Sequence, residues 1–94
     1  MIIKQFKPNA DMMFNLRDVK RILAVDIVGG EPTIWALTDP INGGDRYTYR
    51  AMKNSDSLPA EMIDDYVATM IAQETNAVWH LFGRKIVGGI ARKG

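Results

Sequence analysis

Two glycine-rich breaks limit what this chain can become. Gly29-Gly30-Glu31-Pro32 separates residues 21–28 from residues 33–38, and both flanks are rich in β-branched and aromatic residues. Paired runs of this kind around a short glycine turn read as a β-hairpin, because glycine reaches the positive φ that the turn needs. Pro32 has no amide hydrogen and belongs at the start of its strand. Counting by twos puts Leu23, Val25 and Ile27 on one face of the first arm, opposite Ile22, Ala24 and Asp26. In the second arm Thr33, Trp35 and Leu37 oppose Ile34, Ala36 and Thr38. Both faces are fairly apolar, as in central strands.

The second break, Asp39-Pro40-Ile41-Asn42-Gly43-Gly44-Asp45, is the strongest turn cluster in the chain. After it the residues alternate cleanly. Tyr47, Tyr49 and Ala51 share one face, and Arg46, Thr48 and Arg50 share the other, as in a half-buried strand with its arginines toward water. Arg46 and Arg50 would lie roughly 13 Å apart, with Thr48 as a small polar floor between them. Such a strip suits a run of phosphates or carboxylates on a partner.

Residues 59–73 carry conflicting signals. Met62, Ile63, Tyr66, Val67, Met70 and Ile71 recur at helical spacing, and Pro59 suits a first helical turn. Taken alone, this periodicity predicts a helix, although the Tyr, Val, Thr and Ile of residues 66–72 also suit a strand. Residues 74–76 form a turn, and residues 78–82 a compact apolar strand. Residues 83–94 carry Arg84, Lys85, Arg92 and Lys93 without an acid. They read as a basic, partly disordered tail, with Ile86, Val87 and Ile90 able to pin it down.

The composition removes several classes of function. Ninety-four residues, 47% of them hydrophobic, make one folded domain, and a net charge of +1 argues against a protein that coats nucleic acid or membrane by net charge. No cysteine and one histidine leave no disulfides, no thiolate site and no multi-histidine zinc site. The N-terminus turns charged too early for a secretory signal, and no stretch approaches the roughly 20 apolar residues of a membrane span. The expected location is cytoplasmic.

No catalytic constellation stands out. His80 lies between apolar neighbours and reads as a partly buried histidine with one hydrogen bond rather than a base. Asp26, Asp39 and His80 lack metal-ligand spacing, and Asp39 is better explained as the turn residue before Pro40. The glycine pairs match no phosphate-binding pattern. Trp35 and Trp79 are core candidates, and one left exposed would mark an interface instead. Met12-Met13-Phe14 is core or an adaptable contact surface.

Residues 34–40, Ile-Trp-Ala-Leu-Thr-Asp-Pro, and residues 78–82, Val-Trp-His-Leu-Phe, resemble the paired signatures of a family of short phage-encoded proteins without established function. Gly30, Pro32, Trp35, Leu37, Asp39, Pro40, Arg46, Tyr66, Thr69, Gln73, Val78, Trp79, His80 and Phe82 match in order across residues 20–82. Residues 53–57 depart from it, standing where the family has a Gly-Thr-Gly-His-like turn. The resemblance implies that residues 66–73 are a strand paired with residues 78–82, leaving a short helical segment near residues 59–65. It also implies structural roles for Trp35, Asp39, Pro40, Trp79 and His80.

The resulting expectation is one mainly β domain over residues 1–94, an antiparallel sheet of five or six strands, with an α+β arrangement as the alternative. The leading functional reading is a non-enzymatic phage accessory protein, without cofactor or metal, that binds a macromolecular partner such as a host or defence factor. A nucleotide-binding oligomer is the first alternative, followed by a nucleic-acid-binding module or minor virion protein. Candidate binding residues are Arg46, Thr48, Arg50, Arg84 and Lys85. Exposed sheet edges favour a homo-oligomer.

Overall fold

The computed structural model describes residues 1–86. Six strands follow in chain order: β1 (Ile2–Phe6), β2 (Met13–Val28), β3 (Glu31–Thr38), β4 (Asp45–Lys53), β5 (Tyr66–Ile71) and β6 (Val78–Ile86), with a short 3₁₀ helix at Ala60–Asp65. They form one curled sheet in the order β1-β3-β2-β4-β6-β5, with every pairing antiparallel. The fold is mainly β, and among the described residues no helix is long and apolar enough to cross a membrane.

The long β2 is the spine, and it changes partner along its length. Its first half pairs with β4 and its second half with β3, and Val19 stands opposite both Thr38 and Asp45. At this pivot the β2–β4 register shifts, and Asp18 takes a φ of +56°. The extra residue bends the strand and strengthens its twist, so the sheet curls over its own apolar face. Gly44 lies against the bend. A Cβ there would meet the Val19 carbonyl oxygen at 2.6 Å, so only glycine lets the chain pass.

The β2–β3 hairpin turns on Gly29 and Gly30, with φ of +61° and +82° and with Val28 opposite Glu31. Two positive φ values in a two-residue loop match the right-handed twist of the flanking strands. Pro32 is the second residue of β3, buried, and opposite Ile27. The β1–β3 ladder ends at Phe6–Ile34, and carrying that register two residues further sets Pro8 against Pro32. Neither proline has an amide hydrogen, so the ladder stops where neither could donate.

Against β3 the register of β2 shifts between Val19 and Arg21 and again between Ile22 and Ala24, and the latter shift corrects the simple alternation expected there. Leu23 is the extra residue and is 45% exposed, while Ile22 joins Val25 and Ile27 against the core. Adding one residue exchanges the faces on either side of it. Trp35 also departs from the core role expected of it. It alternates with fully buried Ile34 and Ala36, so it points to the opposite face and is only half-buried. Trp79 is the core tryptophan, packed with Phe14, Leu16, Tyr49, Met70 and Leu81. The Met12-Met13-Phe14 cluster divides: Phe14 is core at 2% exposure with Met12 packed against that core, whereas Met13 stands beside Arg50 outside it.

Residues 66–71 form a strand, not the continuation of a helix. Of the residues at helical spacing, Met70 is buried, whereas Ile63, Tyr66 and Ile71 are more than half exposed, so no helical stripe faces the core. Pairing with β6 satisfies the strand's backbone groups, and tertiary pairing overrides a short local periodicity. The hairpin closes with Ala72 N–H donating to the Ala77 carbonyl at 2.8 Å and Asn76 at a φ of +57°. β6 runs past Phe82 to Ile86, so Gly83–Ile86 belong to the sheet rather than to a loose tail. Arg92, Lys93 and the rest of residues 87–94 lie outside the described residues.

Candidate anion-binding groove on the outer face

The alternation of β4 and β6 determines what lies behind the core. In β4 Tyr49 and Ala51 point inward, so Arg46, Thr48 and Arg50 share the outer face. The β4–β6 register sets Arg50 opposite Phe82, Thr48 opposite Arg84 and Arg46 opposite Ile86. Met13 of β2 stands opposite Arg50 on its other side. The 3₁₀ segment crosses above this strip, bringing Pro59, Glu61, Met62 and Asp65 over it. The groove between segment and sheet encloses about 770 Å³. Thr48, Arg50, Arg84 and Lys85 all line it, whereas Arg46 does not. Thr48, Arg50 and Arg84 thus converge, Lys85 borders the groove but stands opposite Tyr47 and so points to the other face, and Arg46 stays exposed near the start of its strand.

The cations of the groove are not equivalent. Arg84 donates from Nη2 at 2.8 Å and from Nε at 3.1 Å to the same Asp65 carboxylate oxygen. Lys85 Nζ lies 3.8 Å from an Asp45 carboxylate oxygen. Arg50 is half-buried, and among the described residues its one side-chain contact of this kind is Nη2 to the Met13 sulfur at 3.7 Å. Among the described residues no carboxylate pairs with it. A thioether is a weak acceptor, so most of the guanidinium's five donors remain free for a ligand. The walls beside it, Met13, Met62 and Phe82, are apolar.

The core side of the same strands is dry. Tyr47 and Tyr49 stack with centroids 5.9 Å apart, and burial pushes the Tyr49 phenol up to about 12. Gly83 is directly opposite Tyr49, and a Cβ on it would run into the Tyr49 ring. The glycine lets the tyrosine cover the β6 backbone at the back of the groove.

His80 lies on the outer face as the centre of a relay of side chains. Tyr66 Oη is 2.8 Å from Thr69 Oγ1, Thr69 Oγ1 is 3.0 Å from His80 Nδ1, and His80 Nε2 is 2.7 Å from Asn54 Oδ1. The amide oxygen of Asn54 can only accept, so Nε2 carries the hydrogen and Nδ1 accepts from Thr69 in the neutral ring. Both nitrogens are engaged, one more than the single bond expected. The chain ties β5, β6 and the loop after β4 together.

Asp39 fills the turn role expected of it. Its Oδ1 accepts from the backbone N–H of Asn42 at 3.1 Å and of Ile41 at 3.3 Å, and its Oδ2 accepts from Asn42 Nδ2 at 3.1 Å. The Asn42 backbone and side-chain bonds hold this carboxyl below its ordinary value. Among the described residues no three His, Asp or Glu side chains are placed to hold a metal ion.

Sequence reasoning missed Asp65, Met62 and Phe82 as groove residues. Asp65 and Arg84 are far apart in the chain, and only the fold of the 3₁₀ segment onto β6 joins them. Comparison of the chain with protein-family models, curated proteins and solved structures finds no match, so the chemistry of the groove is derived from its own residues.

Proposed function

We propose that this is a non-catalytic binding protein that captures an anionic group of a macromolecular partner in the groove between the 3₁₀ segment and strands β4 and β6. The observation that carries this reading is Arg50: a half-buried arginine beside apolar walls, with no carboxylate partner among the described residues. A guanidinium whose donors meet only a thioether can offer them to a ligand anion, with two parallel bonds to one carboxylate. The family resemblance supplies the setting of a phage accessory protein, and with it a host or defence factor as the partner. Affinity capture from host lysate tests the reading. A partner retained by the wild type and lost by a folded Arg50→Ala variant supports it, and equal capture by both contradicts it.

A nucleotide as ligand is the second reading, favoured by the presence of the Phe82 ring on the groove wall. Self-association accompanies either reading. Among the described residues β5 pairs only with β6 and contains no charged residue or proline to blunt its edge, whereas the other edge strand, β1, carries Lys4. Light scattering at micromolar concentration is expected to give at least a dimer, and a monomer throughout that range contradicts this.

A further inference from the structure

We infer that the groove ligand is an extended segment of a partner protein bearing a single carboxylate among aliphatic side chains, and not a nucleotide or a nucleic-acid backbone. This inference rests on the anion-binding reading of the groove and narrows its ligand. Charge is the first argument. Of the cations bordering the groove, Arg84 is held by Asp65 at 2.8 Å, and Lys85, opposite Tyr47 on the other face of the sheet, lies 3.8 Å from Asp45. Arg50 alone has no carboxylate partner among the described residues, and Glu61 adds a negative charge to the rim. One free guanidinium matches one carboxylate, with two parallel N–H···O bonds available to it. A terminal phosphate would bring about two negative charges to that single cation, and a nucleic-acid backbone would bring a series of them.

Shape is the second argument. The β6 side of the groove runs from Phe82 to Ile86, about 13 Å at the rise of a strand, which is the length of roughly four extended residues. Met13 and Met62 flank Arg50 across this length, and methionine walls adapt to aliphatic side chains of varied shape. The aromatic needed to stack a base is poorly presented. Phe82 already pairs edge-to-face with Tyr66, with planes at 69°.

The test is a random-peptide display selection against the full-length chain, followed by titration of the enriched peptide. The expected consensus has one Glu or Asp beside Leu, Ile or Val. Its affinity falls about tenfold or more in Arg50→Ala, recovers in part in Arg50→Lys, and falls with salt with a slope near one. Adenosine monophosphate and oligothymidylate are the competing probes, and neither should displace the peptide. Displacement by either at comparable concentration, with Arg50→Ala still abolishing binding, overturns the peptide assignment but leaves an anion-binding groove. Enriched peptides without an acidic residue, no enrichment, or equal affinity in Arg50→Ala overturn the inference, and equal affinity overturns the groove reading with it. Circular dichroism matching the wild type keeps loss of fold from being mistaken for loss of binding.

Discussion

Asp65, the last residue of the 3₁₀ segment, holds Arg84 of β6 through two hydrogen bonds to one carboxylate oxygen, at 2.8 and 3.1 Å. The pair anchors the segment over the sheet and withdraws one of the two arginines lining the groove from ligand binding. Asp65→Asn is therefore expected to release Arg84 into the groove. Arg84 is 57% exposed although Asp65 is only 17% exposed, so solvent still screens the pair and stability should change by about 1 kcal/mol or less in urea denaturation. Binding of an anionic ligand should become tighter and more salt-sensitive. Weaker binding in the variant would mean that the anchor matters more than the free charge.

Gly83 and Tyr49 are coupled across β4 and β6. Gly83→Ala places a methyl group where the tyrosine ring lies, and the ring cannot leave without opening the core. The expected cost is about 1–3 kcal/mol, measured by denaturant unfolding. Combined with Tyr49→Ala the penalty should shrink, because the clash is removed. Full additivity in the double variant would show that the two do not share the space.

The two tryptophans separate by face. Trp79→Ala removes a core ring at 7% exposure and should cost about 3–5 kcal/mol. Trp35→Ala should cost about 1 kcal/mol, since that ring is half-buried outside the core. In fluorescence quenching with iodide, Trp35 should account for most of the accessible emission. The reverse order of stability losses would contradict the assignment of faces.

Asp39 sets an acid limit. Its carboxyl is held below the ordinary value of 3.8, first by the Asn42 backbone N–H and then by the Asn42 side chain. A lowered folded value means that the contribution is fully present above pH 3.8 and is lost as pH falls through the folded value. Asp39→Asn should therefore be less stable than the wild type at neutral pH, and the gap should narrow below about pH 4. A gap that stays constant down to pH 2 would show that the carboxylate charge is not what the turn uses.

Much of this architecture follows from local patterns, and its limits are physical. Strict alternation in residues 46–52 separated the tyrosine face from the arginine face, and the separation holds because β4 carries no bulge on the stretch paired with β6. The same counting failed at Leu23, where an inserted residue shifts the phase and no glycine or proline marks it. Apolar spacing over residues 59–73 suggested a helix, since period cannot register that β6 is waiting as a pairing partner. In the groove, Thr48, Arg50, Arg84 and Lys85 were legible as exposed cations and a polar floor. Their unequal availability was not, because it depends on Asp65 and Asp45, whose approach to β6 is purely tertiary.

The central claim is that Arg50 is a free cation in an apolar groove. The most direct measurement is an amide chemical-shift titration with 3-phenylpropionate, one carboxylate on an apolar body. The account predicts millimolar or tighter binding that shifts the amides of Thr48, Arg50, Phe82 and Arg84, with these shifts abolished in a folded Arg50→Ala variant. Shifts centred elsewhere, or the same shifts in Arg50→Ala, would contradict it.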